Sequence, residues 1–175
     1  MPQHLLHQAL AFNPQDRHRY HVDPALLWDL KQGPEYSRLA TAPDRYISKR
    51  IRSQYATQPP VPVFRVTCGI FPHNGWEIEV RNPLGVTVED VLIELYRGLR
   101  HRISNKEWEQ TPRQHQARVA EAFYERTRHS RDPTYEHSQG VRRIDWLLRS
   151  TAFVGLTPSV EYPYTWTLTI KRVGK

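Results

Sequence analysis

The chain has 175 residues, of which 38% are hydrophobic, with one Cys, 14 Pro and eight Gly and a mean hydropathy of −0.70. That length suits one domain, because each of two halves would be short of core, while five Trp, nine Tyr and five Phe exclude a wholly disordered, aromatic-poor chain. One Cys excludes a disulfide framework and any Cys-based zinc finger, no apolar run approaches a membrane span, and Met1–Ala11 lacks the basic start and continuous apolar stretch of a signal peptide.

A soluble protein of the cytoplasm or nucleus is therefore expected. The net charge is +7, carried mostly by arginine, whose planar donor fork suits carboxylate or phosphate. The tightest basic cluster is Lys49, Arg50 and Arg52, a candidate nuclear-import or phosphate-binding patch. Arg113, Arg118, Arg126 and Arg128 spread around more than half of a helix circumference, which suits solvation better than a phosphate-tracking stripe.

Residues 1–23 show no sustained period and read as an irregular arm. Residues 24–175 read as one domain. Leu26–Leu30 is a short strand candidate ended by Gly33-Pro34, followed by a long polar loop over 37–60, mobile or held against the surface. Val61–Cys68 and Trp76–Arg81 alternate apolar and polar residues, with Asn74-Gly75 supplying hairpin chemistry.

Two helices follow. The first starts at Thr87 with Asp90 three residues on, a capping-box pair, and carries an apolar stripe of Val88, Val91, Leu92, Leu95 and Leu99. The second is expected to use Thr111 as N-cap, Pro112 as first residue and Gln114 as box partner, over 112–129. A short turn at Lys106–Glu109 separates them. Ile144, Trp146 and Leu148 alternate with Arg143, Asp145 and Arg149, and Trp166, Leu168 and Ile170 alternate with Thr165, Thr167, Thr169 and Lys171. Both segments read as strands.

The order β-β-β-α-α-β-β predicts a two-layer α+β domain: a mostly antiparallel sheet with both amphipathic helices on its one apolar face. Parity sends Trp28, Trp76, Trp146 and Trp166 to the core side rather than to a base-stacking platform.

A family resemblance rests on an ordered set of segments: Leu26-Leu27-Trp28-Asp29-Leu30, Tyr55–Pro60, Val86–Leu92, Ile103–Trp108, Ala122–Arg126, Gly140–Leu147 and Phe153-Val154-Gly155-Leu156. In that order, over roughly 24–172, the chain resembles an uncharacterised domain family of basidiomycete fungi, a domain of unknown function. The resemblance implies one small cytosolic or nuclear fungal domain. It brings no activity, cofactor or catalytic residue with it.

Candidate chemistry is sparse. His4 and His7, and His18 and His21 with Asp16 and Asp23, have spacings that bring imidazoles together, yet no frame or Cys supports a metal site. Cys68 shares its face with Phe64 and Val66 and should be an unreactive buried thiol. No nucleophile elbow, zinc-protease motif or glycine-rich phosphate loop occurs, and no cofactor is expected. The polar sheet face should carry Arg65, Glu77, Glu79, Arg81, Arg143, Asp145 and Arg149. It reads as cross-strand ion pairs, as a partner face, or as an acid/base site in which Asp145 or Glu79 has a perturbed pKa next to Arg, and Glu77 and Glu79 oppose phosphate binding there.

The expected function is a non-catalytic module that engages another protein through that face, an edge strand or the 37–60 loop. The alternatives are RNA or DNA binding through the basic surface, and a hydrolase or nuclease-like enzyme using His101, His115 or His137 with an arginine clamp.

Overall fold

A computed structural model describes residues 4–12, 24–72 and 75–174. In chain order the elements are β1 (Leu5–Leu6), β2 (Leu26–Leu27), β3 (Arg38–Leu39), α1 (Lys49–Arg52), β4 (Thr57–Gln58), β5 (Val63–Thr67), β6 (Ile78–Arg81), α2 (Val88–Leu99), α3 (Asn105–Glu109), α4 (Arg113–Arg128), α5 (Pro133–Ser138), α6 (Arg143–Trp146), β7 (Ala152–Pro158) and β8 (Thr165–Lys171). The principal sheet has the order β6-β5-β8-β7. Its two hairpin pairs are antiparallel and meet at a parallel β5–β8 seam. The fold is α+β, and the coarse order of strands and helices is the expected one.

Strict alternation on β5 and β6 sorts their side chains. Phe64, Val66, Ile78 and Val80 are buried, whereas Glu79 and Arg81 are exposed. On β8, Trp166 turns inward and stacks on Phe64, with ring centroids 3.8 Å apart and planes within 3°. Trp28, Trp76 and Trp166 lie in the interior, and Trp146 is half-buried. Trp28, Trp76 and Trp166 are filling, as expected from their parity, whereas Trp146 sits on a helix, where strand parity does not apply.

The α2 helix closes that face. Its Thr87–Asp90 capping box forms in both directions, Asp90 N–H to the Thr87 hydroxyl at 3.1 Å and Thr87 N–H to the Asp90 carboxylate at 2.9 Å. All five residues of the apolar stripe are fully buried. Close approach to β6 depends on Gly98, where a Cβ would stand 2.7 Å from the Ile78 side chain. At the other end, Asn82 donates to Asp90 at 2.8 Å, so α2 runs antiparallel to β6.

Two local expectations are overturned. The run Arg143–Trp146 is the short helix α6, not a strand, because the Arg142 N–H donates to the Asp145 carboxylate and caps a turn. The strand expected there lies later, at β7. Finally, α4 begins at Arg113 without a capping box: the Thr111 hydroxyl donates to the Glu107 carbonyl of α3 instead.

Residues 4–12 and 37–60 are built into the domain. β1 pairs with β4, β2 pairs with β3, and Leu10, Ile47 and Ala56 are buried. Asn74, half of the expected hairpin turn, lies outside the described residues.

Candidate functional site

The two edges of the principal sheet differ. At β7, the Leu156 N–H donates to the Leu10 carbonyl and the Phe12 N–H to the Leu156 carbonyl. Further along, the Phe153 N–H donates to Trp28 and the Leu30 N–H to Thr151. The chain thus caps this edge with its own backbone. Gly155 permits the contact, since a Cβ there would meet the Phe12 main chain at 2.5 Å.

At β6 the edge is open. The Arg65 N–H donates to Tyr164 beside β8, so Phe64 and Val66 turn their main chains toward β6 and bond Val80 and Ile78. By alternation, the peptide groups of Glu79 and Arg81 face away from β5. Among the described residues no strand pairs with them. Beside this edge runs a groove of about 340 Å³ between β6 and α2, lined by Glu79, Val80, Arg81, Asp90, Ile93, Glu94 and Arg97. The four helix residues follow i, i+3, i+4, i+7, one flank of α2. A second hollow of about 430 Å³, lined by Leu5, His7, Gln54 and Tyr55 among others, adjoins the two-residue strands β1 and β4 and carries no charged pair.

Of the seven residues expected on one polar face, the structure brings three together. Glu79 bridges Arg65, at 2.9 Å, and Arg81. The Arg65 hydrogen bond, followed by that from Arg81, holds the Glu79 carboxyl below the ordinary glutamate range. Glu77 is exposed beside them. Arg143 and Asp145 belong elsewhere because their segment is helical, and Arg149 is exposed beyond α6. The outer positions of β5, β6 and β8 are Val63, Arg65, Thr67, Glu79, Arg81, Thr165, Thr167, Thr169 and Lys171, with no aromatic ring among them. In the basic patch, Lys49 and Arg50 are exposed and Arg52 pairs with Glu89 at 3.0 Å.

Asp145 is buried and forms the centre of an ion cluster. Arg126 of α4 grips it in bidentate fashion, Nε to Oδ1 at 2.6 Å and Nη2 to Oδ2 at 2.9 Å. The remaining arm of Arg126 donates to Glu136 at 2.8 Å, and Arg142 shares that carboxylate at 3.2 Å. Burial opposes the Arg126 charge, but the Asp145 and Glu136 carboxylates outweigh it and push its pKa up. Each oxygen and each guanidinium arm of the Arg126–Asp145 pair has a partner, so the cluster ties α4, α5 and α6 together structurally. Spacing alone does not reveal it, because the partners come from three helices.

His115 and His137 do not converge. His115 packs edge-on against Trp146, at 4.3 Å between centroids, while His137 lies against Phe123, eight residues or about 12 Å along α4. His101 is exposed. Nearby, the Arg143 guanidinium covers Trp76 at 4.8 Å, and the Trp76 indole donates to Glu107 at 2.6 Å. Burial tends to raise the Glu107 pKa, yet the Ser104 N–H and the Trp76 indole outweigh it and hold the carboxyl low. His4 contacts the Pro59 carbonyl and His7 contacts Gln54. His18, His21, Asp16 and Asp23 lie outside the described residues. Among the described residues no cluster of three or more His, Cys, Asp and Glu could hold a metal ion. Burial pushes the Cys68 thiol up, as its strand face predicts.

His115 carries a pH prediction. Burial, and then the Arg118 charge, depress its pKa, and its Nε2 is buried without a hydrogen-bond partner. The unfolded chain therefore binds the extra proton, and stability falls as pH drops through about 6.5 toward the folded value. Urea midpoints at neutral and mildly acidic pH should diverge less in His115→Gln than in the parent. Equal divergence would show that His115 contributes nothing to the pH dependence.

No curated protein and no solved structure matches the chain. A family model, described as a family of unknown function (DUF6699), matches residues 26–164. That span runs from β2 across both edge segments and the whole ion cluster, stopping short of β8, and the chain belongs to this family.

Proposed function

We propose that the protein is a non-catalytic binding module that receives an extended segment of a partner protein along the free edge of β6. One observation carries the reading: the domain caps its β7 edge with its own backbone, while among the described residues the β6 edge is unpaired beside a groove. Strand addition supplies main-chain hydrogen bonds for affinity, and alternating side chains for specificity. The outer sheet face favours this over a nucleic-acid surface, since it lacks stacking rings and holds Glu79 between its arginines. Separation of His115 from His137 likewise argues against acid–base catalysis by that pair, which needs both groups at one atom.

The reading extends to the basidiomycete setting implied by the sequence resemblance and to a cytoplasmic or nuclear location. No helix among the described residues is long and apolar enough to cross a membrane.

Selection of displayed random peptides on the full-length protein tests the site. Bound peptides should slow amide exchange at Glu79 and Arg81. They should fail to bind Arg81→Pro, which removes an outward N–H without touching the β5 ladder, and Ile93→Asp, which makes the groove floor polar. Ligands insensitive to both changes, or no enriched ligand at all, would overturn the proposal.

A further inference from the structure

We infer, on the strand-addition reading above, that the partner segment carries opposite charges at its two ends: a cation facing Glu77 and a carboxylate facing Arg81, with an uncharged residue between them. The register follows from the edge itself. Glu79 and Arg81 present both their outward peptide groups and, on the outer sheet face, their side chains, and Glu77, one residue before β6, continues the alternation as an exposed side chain between buried Trp76 and Ile78. Residues directly opposite them on an added strand share that face. Glu79 is satisfied by Arg65 and Arg81, so a charge opposite it has nothing to gain. Glu77 is exposed and forms no ion pair among the described residues, leaving it able to attract a cation. Arg81 spends one donor on Glu79 and keeps the rest of its fork for a second carboxylate.

The other side chains of the added strand point under α2. The one between the positions opposite Glu79 and Arg81 stands across from Val80 and meets the groove flank at Ile93, so it is apolar. Asp90 is taken by Asn82 and Thr87, and Glu94 by Arg97 at 2.9 Å. The helix side therefore selects for fit to Ile93, and the outer face selects for charge. An intact second copy is a poor occupant, because α2 lies directly over β6 and two such helices would compete for the space above paired edges.

Two peptides discriminate: one with the core Asp-Val-Thr-Val-Lys and one with the same residues reversed, each titrated into the full-length protein by fluorescence anisotropy. The protein should prefer one of them by about fivefold, the size of cross-strand charge pairs. The preference should invert in the double variant Glu77→Lys, Arg81→Glu. Equal binding of both peptides, or a preference that survives the charge swap, overturns the charge assignment and leaves strand addition standing. Failure of both peptides on both proteins, with Glu79 and Arg81 amides exchanging unchanged, overturns the strand-addition reading and this inference with it.

Discussion

Replacing Arg126 with alanine is expected to destabilise the protein by about 3–5 kcal/mol, the cost of stranding a buried charge. The Asp145 side chain is only 2% exposed and that of Arg126 13%, so water cannot take over the lost partner. Asp145 would keep the Arg142 N–H but lose both charge-assisted bonds, and Glu136 would lose its closer cation. Arg126→Lys retains the charge without the planar fork, and should fall between alanine and the parent. The loss is a large share of the 5–15 kcal/mol that holds a typical domain together. Urea denaturation at neutral pH reads it directly. A change below about 1 kcal/mol in Arg126→Ala would mean that the cluster is solvated and holds α4, α5 and α6 together weakly.

Leu95→Asp is expected to prevent cooperative folding altogether. The residue is fully buried at the middle of the α2 stripe, and burial of its five apolar side chains is worth roughly 7–15 kcal/mol before the entropy of ordering is subtracted. The substitution removes one of those contributions and places an unpaired carboxylate in the same core as the apolar strand side chains Phe64, Val66, Ile78 and Val80. Leu95→Ala, which only opens a cavity, should cost about 2–5 kcal/mol and still unfold cooperatively. Arg97→Ala, on the exposed flank of the same helix, should change stability by less than about 0.5 kcal/mol. A soluble Leu95→Asp protein with a sharp thermal transition would show that α2 does not seal the core.

Much of this molecule is readable along the chain because its strongest signals are local. The Thr87–Asp90 box and the stripe from Val88 to Leu99 specify α2 within a dozen residues. Parity on β5, β6 and β8 decides which side chains are interior. Where two periods fit, the local reading fails. Ile144, Leu147 and Leu148 suit a helix as well as Ile144, Trp146 and Leu148 suit a strand, and Asp145 settles the matter by capping its own turn and meeting Arg126 from α4. The strand at β7 has no alternation to find, since Phe153, Val154, Gly155 and Leu156 are all buried, with residues 10–12 laid along that edge.

The candidate site was legible only in fragments. Glu77, Glu79 and Arg81 stand out as the polar side of an alternating run, and Asp90, Ile93, Glu94 and Arg97 share helical spacing, but no local rule joins them. Composition, periodicity and capping residues were enough to specify the α+β class, the interior indoles and the helix that covers them, because each depends on neighbours a few positions apart. Which edge of the sheet stays open was decided by the tertiary structure. It turns on β8 arriving from the far end of the chain to lie parallel to β5, and on Leu10–Phe12 claiming β7. Hydrogen bonding between segments so distant in sequence leaves no periodic trace in either one.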